Sequence, residues 1–294
     1  MAEFLQVLFT GLSQGGIYAL IGIGFSLVNM STRVLNLAQG SYALLGGFVF
    51  LTLATRYGLP LWAALALVLV FVAMLGVVTE RIVSLRVRPW RPISHDMAIL
   101  TTLALVVVAE GAAFLIWGPD PQRGPALQRG VVNVLGAILI WQSVWMLVIT
   151  LVIAAGLQWL LIRTWLGRSM RACAQNPLTA ALLGIDVRRV GMAAFTLSAV
   201  IGALAGMLVS PITWLDYQIG GEFMLKGVLA YLLGGELAIA GPLVGGLVLG
   251  LVENLFLLFP GATGGLLKQV VPMALLIVML VWRPQGLLGG PRAR

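Results

Sequence analysis

Along its length the chain is a series of long apolar runs separated by short polar breaks. Runs close to the ~20 residues that carry a helix across a bilayer fall at about 4–30, 35–55, 60–79, 97–117, 141–162 and 190–212. From 223 to 257 the apolar character continues but is interrupted at Gly234-Gly235-Glu236 and again at Gly241-Pro242, which predicts two short spans or a re-entrant pair. A last run, about 266–282, contains Pro272 and stops at Arg283. Backbone groups inside lipid must be satisfied within their own segment, so the runs are read as helices. The pattern predicts an all-α polytopic integral membrane protein of about nine transmembrane segments, with seven to ten as the range and some of them short or broken. No polar stretch is long enough to fold separately, so residues 1–294 read as one transmembrane domain. The loop 118–133 is rich in Pro and Gly, and Val131 to Ile140 beyond it suits extended chain.

The longest polar break runs from Arg163 to Val190. Asn176 is a good N-cap, Pro177 suits the first helical position, and Gly184 sits where a helix ending at Leu183 wants a left-handed residue. A helix of barely two turns results. Leu178, Ala181, Leu182 and Ile185 fall on one side of it, predicting a face that can be buried, with Ala180 on the exposed side. Arg168, Arg171, Arg188 and Arg189 hold the flanks in water. So short a helix needs something to pack against. The residues alone leave two readings, a connecting loop on the membrane surface and a handle for another protein to push.

Composition agrees with the membrane reading: 60% of residues are hydrophobic and 10% are charged, against about 25% charged in a soluble chain. The 36 glycines let helices approach closely, and Gly11-x-x-x-Gly15, Gly202-x-x-x-Gly206, Gly241-x-x-x-Gly245 and Gly246-x-x-x-Gly250 mark candidate contacts. The net charge of +8 is distributed by loop rather than gathered in a patch. Arg33, Arg81, Arg86, Arg88, Arg91, Arg163, Arg168, Arg171, Arg188, Arg189, Arg283, Arg292 and Arg294 share one side under an odd number of spans. Only Arg56, Arg123, Arg129, Lys226 and Lys268 fall on the other. By the positive-inside rule the 163–190 loop and the C-terminus are cytoplasmic and the N-terminus external, and nucleic acid is set aside as a partner. The N-terminal run lacks the basic start of a cleaved signal peptide.

Glu110, Glu253 and Asn254 lie at membrane depth, where ionisable and strongly polar groups are functional candidates by default and helix-to-helix hydrogen bonds are the structural alternative. Asn36-Leu-Ala-Gln39-Gly40 opens the second span and suits either a helix start lining a cavity or an interfacial cap. Cys173 is the only cysteine, so no thiolate metal cluster can form, and His95, the only histidine, falls in a basic cytoplasmic loop, which argues against metalloprotease and serine–histidine chemistry. No phosphate-binding loop is present, and none of these features describes an enzyme.

Four blocks in order resemble one family: Val34-Leu-Asn-Leu-Ala-Gln-Gly40 with Leu44-Leu-Gly-Gly47; Met170-Arg-Ala-Cys-Ala-Gln-Asn176 through Leu183-Gly-Ile-Asp186; Leu233-Gly-Gly235 through Gly241-Pro-Leu-Val-Gly-Gly246 and Leu249-Gly250; and Arg283-Pro-Gln-Gly-Leu-Leu288. They are similar to the LivH-like permease subunits of branched-chain amino acid ABC importers, from about residue 10 to 289. The resemblance implies translocation of branched-chain amino acids or related small solutes by ATP-driven alternating access, in a bacterial inner membrane. It also implies a second, LivM-like permease, two cytoplasmic ATPase subunits that hold ATP-Mg, and an external substrate-binding protein, with no cofactor on this chain. The 163–190 loop would carry the coupling helix, through Gln175, Asn176, Pro177, Leu178, Ala181, Leu182, Gly184 and Ile185. A substrate pathway would involve Asn36, Gln39, Gly40, Glu110, Gly234 and Gly235. Gln39 stands where the family usually has His, and Leu233 to Gly241 replaces a run that is normally Gly-Gly-x-Gly-Ser-x-x-Gly. Related importers carry urea, amides and aromatic carboxylates, so the substrate stays open. The competing class is a self-sufficient channel or secondary transporter.

Overall fold

The structure, a computed structural model, describes residues 2–85, 95–128, 130–134, 137–235, 239–256, 270–275, 277–278, 281–282 and 286–288. Its elements are α1 (Ala2–Thr32), α2 (Gln39–Leu51) prolonged by a π-helical turn (Thr52–Arg56), α3 (Leu61–Leu85), α4 (His95–Trp117), strands β1 (Val131–Val134) and β2 (Ala137–Ile140), α5 (Trp141–Arg163), α6 (Trp165–Gln175), α7 (Pro177–Leu182), α8 (Val187–Val209), α9 (Ile219–Gly234) and α10 (Ala240–Leu255). Of the residues singled out above, Arg86, Arg88, Arg91, Arg129, Glu236, Lys268, Arg283, Arg292 and Arg294 lie outside the described ones.

Among the described residues five helices, α1, α3, α4, α5 and α8, are long and apolar enough to cross a membrane. The chain is thus a multi-pass helical membrane protein. The nine-segment expectation exceeds five because α2, α9 and α10 have only 13, 16 and 16 residues. Of the last run, residues 270–275, 277–278 and 281–282 are described and are helical.

Two local expectations change, while the interrupted region 223–257 forms two short helices: Gly235, at φ 91°, ends α9, and Gly241-Pro242 opens α10. Proline is tolerated there because the first-turn amides have no intrahelical partner. His95, expected in a loop, is the first residue of α4. The 163–190 break contains an unforeseen helix, α6, capped where the Thr164 hydroxyl accepts from Gly167 N at 3.2 Å. The extended segment is an antiparallel hairpin, with Val131 opposite Ile140 and Val134 opposite Ala137.

The interior is built on small residues. A Cβ on Gly15 would come within 2.6 Å of the Gly246 carbonyl, and one on Gly250 within 2.4 Å of the Gly11 carbonyl, so α1 and α10 meet backbone to backbone. A Cβ on Gly206 would lie 1.9 Å from the Ala43 carbonyl, which locks α8 against α2. On Gly245 it would lie 2.1 Å from the Ala230 carbonyl of α9. All four spacings picked from the sequence therefore fall on real contacts. Around this centre α3, α4 and α5 turn Leu, Val and Trp outward.

Candidate functional site

Arg163 to Val190 folds into the paired helices α6 and α7. Asn176 Oδ1 accepts from Leu178 N at 2.9 Å and from Thr179 N at 3.1 Å, satisfying two amides that a helix start leaves open. Gly184, at φ 83°, closes the far end, one residue past the Leu183 cap. Asp186 then starts α8 by accepting from Arg189 N at 3.1 Å and pairing with its guanidinium at 2.9 Å.

The inward face is the reverse of the expectation. Ala180 is buried at 2% exposure, whereas Leu178, Leu182 and Leu183 are 72%, 81% and 76% exposed, Ala181 is exposed and Ile185 half-buried. The single methyl of Ala180 fits where α7 lies close to the body of the protein, so the larger side chains rotate outward. Arg171 likewise is not held in water alone, since its guanidinium donates to the Leu161 carbonyl.

Arg33 ties this corner to the bundle. Its Nη2 donates to Ala174 O at 2.7 Å and to Gln175 O at 3.3 Å, the last carbonyls of α6, where a cation is favoured by the helix dipole. Its φ of 55° makes it the only non-glycine residue with positive φ among the described residues. Cys173 is on the buried face of α6, and burial pushes its thiol above the ordinary range.

The six pathway candidates do not converge on one cavity. Asn36 and Gln39 are both fully buried. Asn36 Oδ1 accepts from Ala38 N at 3.2 Å, and Gln39 Nε2 donates to Ser198 O at 3.0 Å while its Oε1 receives the Ser198 hydroxyl, which also contacts Gly24 O at 3.0 Å. Gln39 thereby joins α2, α8 and α1. Gly40 abuts Gly220 O of α9. Glu110 Oε1 accepts from Gly221 N at 3.0 Å, so a carboxylate of α4 caps the positive end of α9. Gly234 and Gly235 lie at the other end of α9, about 24 Å away for 16 residues.

A different set of polar residues does converge. Lys226 Nζ lies 2.9 Å from Glu253 Oε1 and 3.0 Å from the Tyr18 hydroxyl, and Gln14 Oε1 accepts from Asn254 Nδ2 at 2.8 Å. Of these, Gln14, Tyr18, Lys226 and Glu253 edge a cavity of about 290 Å³ between α1, the end of α8, α9 and α10.

A family model described as branched-chain amino acid transport system / permease component matches residues 7–280. The chain belongs to this family of transport permeases. The high-affinity branched-chain amino acid transport system permease protein BraD of Pseudomonas aeruginosa is 30% identical across 98% of this chain and 97% of its own length. LivH of Escherichia coli, a high-affinity branched-chain amino acid transport system permease protein, is 30% identical over 98% and 96%. A probable branched-chain amino acid transport permease protein LivH of Methanocaldococcus jannaschii is 28% identical over 92% and 88%.

In this permease the blocks that carried the resemblance meet one another. Leu287 N donates to Leu233 O at 2.8 Å and Leu288 N to Gly234 O at 3.1 Å, so the tail motif closes the carbonyl end of α9. Gly286 sits against Gly235, where a Cβ would come within 2.5 Å of backbone. Arg33 precedes the first block and grips the second. Tyr18 and Ser198 went unnoticed because one hydroxyl in an apolar run carries no signal. Lys226 had one: a lysine and Glu253 occupy the two arms of a single helical hairpin.

Proposed function

We propose that this chain is the membrane-spanning permease subunit of an ABC importer in the bacterial cytoplasmic membrane. It would move branched-chain amino acids or related small amphipathic solutes by alternating access. Two ATPase subunits holding ATP-Mg, a second LivM-like permease and an external substrate-binding protein complete the machine. The arginine distribution supports a cytoplasmic side bearing Arg33, α6 and α7, with the hairpin and the N-terminus outside.

The observation that carries the mechanism is α7. Its ends are capped and its Ala180 side is buried, yet Leu178, Leu182 and Leu183 project outward beside the charged ends of the bundle. Apolar side chains there have no lipid to face, and a groove on an ATPase would cover them. ATP-driven closure would push α7, and through Gln175 and Asn176 and the Arg33 contact the motion would reach α1 and the Asn36–Gly40 entry to α2. Gly40 against α9, and Gly234 and Gly235 at its end, are where the bundle would shift to open the pathway, with Glu110 holding the start of α9.

The test is co-purification and reconstitution. The complete set of subunits in proteoliposomes should accumulate labelled leucine only with ATP and the binding protein. Uptake by this chain alone, without ATPase, would replace the reading with the self-sufficient channel or secondary transporter.

A further inference from the structure

The paired charges of α9 and α10 are not needed to hold those helices together. Gly241 and Gly245 already bring α10 onto the Gly234 and Ala230 backbone at distances no side chain could enter. A buried ion pair adds little net stability, because removing both charges from water costs about as much as their attraction returns. Glu253 is nonetheless 1% exposed, and Lys226, at the cavity edge, keeps 28% of its side chain exposed. Their surroundings are of two kinds. Tyr18, Gln14 and the exposed Glu222 supply hydroxyl, amide and carboxylate groups, while Ile17, Ile219 and Phe223 supply an apolar wall.

We propose that this cavity is a transit site for a zwitterion, at which an α-amino acid exchanges its own charges for those of the Lys226–Glu253 pair. The carboxylate would take the Lys226 ammonium and the Tyr18 hydroxyl, the ammonium would take Glu253 with Glu222 at the rim, and an aliphatic side chain would lie on Ile17 and Phe223. One ion pair opens and two form, so neither the protein nor the solute carries an unmatched charge at membrane depth. The cavity's volume of about 290 Å³ accommodates one small amino acid. Its edge reaches Thr213 in the α8–α9 connection and Ile219 at the start of α9, at the end of the bundle opposite Arg33. That is the side from which a binding protein would deliver solute. The inference rests on the importer reading.

The experiment uses the complete transporter in proteoliposomes with labelled L-leucine, measuring uptake, ATP hydrolysis and retention of the ATPase subunits. Lys226→Gln and Glu253→Gln are each expected to cut uptake at least tenfold. The double exchange Lys226→Glu with Glu253→Lys is expected to assemble yet stay at least tenfold low, because the pair survives but its polarity toward the solute is reversed. Wild-type uptake by the double exchange, alongside defective single variants, would make the pair purely structural and overturn the proposal. Single variants within twofold of wild type would overturn it equally. Should none of these assemble, Glu222→Gln decides: uptake about threefold lower sustains the site, and unchanged uptake removes it. Absence of ATP-dependent leucine uptake in the wild type would overturn the importer reading and this inference together. Normal wild-type uptake with unaffected variants would overturn the inference alone.

Discussion

Helices α5 and α8 are both 23 residues long and nearly equal in mean hydropathy, yet along their most apolar stretches 28% of α5 is buried and 67% of α8. What separates them is size. Helix α8 carries Gly191, Gly202 and Gly206 with Ala194, Ala199, Ala203 and Ala205 on its buried face, whereas α5 carries Trp141, Trp145 and Trp159 and a single glycine. In water apolarity sorts a helix toward the core. In lipid the tails are as apolar as leucine, so the interior goes to the helices whose backbones can come closest.

Adding bulk to one glycine on each helix tests the comparison with the largest expected effect. Gly206→Leu drives a side chain into the Ala43 backbone, and overpacking of this kind costs about 3 kcal/mol or more where backbone must move. Loss of the monodisperse species on size exclusion is expected. Gly156→Leu on α5 meets nothing within 4 Å and should leave the melting temperature unchanged. Equal damage from both would refute size as the sorting rule.

Buried polar contacts sharpen it. Gln39→Leu removes the amide that serves Ser198, leaving buried polar atoms on α8 without their partner at a cost of about 1–3 kcal/mol. The variant is expected to melt earlier as well as to transport less. Lower transport at unchanged stability would instead make Gln39 a pathway residue alone.

Exposure on α7 is of a different kind from exposure on α5. Leu182→Asp should leave the permease as stable as wild type and weaken ATPase retention by about tenfold, near 1.4 kcal/mol. Trp159→Asp, exposed on a membrane-spanning helix, should instead impair insertion. Normal ATPase retention by Leu182→Asp would leave α7 a surface connector. Gly184→Val adds a strained φ at about 1–3 kcal/mol and is expected to displace the end of α7 without unfolding the spans. Because Ala180 is buried, Thr179→Ser, exposed on α7 and outside the residues assigned to coupling, is the control for Gly184→Val.

The smallest effect concerns Cys173. A thiol held above its ordinary range has less thiolate at neutral pH, so maleimide should label it more slowly than a cysteine introduced at exposed Arg188, and faster as pH rises. Equal rates at pH 7 would mean that α6 lifts readily from the bundle.

Local chemistry was legible without coordinates. The Asn176 and Gly184 caps and the glycine spacings each depend on residues within a turn or two of one another, and each reappears in the structure; the apolar runs at 4–30, 97–117 and 141–162 return as α1, α4 and α5. The hidden helix α6 escaped because its arginines interrupt the apolar count while its buried face uses only Gly167, Ser169, Met170 and Cys173.

What only the tertiary structure decided is which faces meet. That Ala180 rather than Leu182 turns inward, that Gln39 is enclosed by α8 and α1, and that Lys226 reaches Glu253 and Tyr18 all depend on how helices rotate about their axes. In a soluble protein the apolar stripe of a helix announces that rotation. Here nearly every face is apolar, and the rotation is set by backbone contacts between residues as far apart in sequence as Gly11 and Gly250.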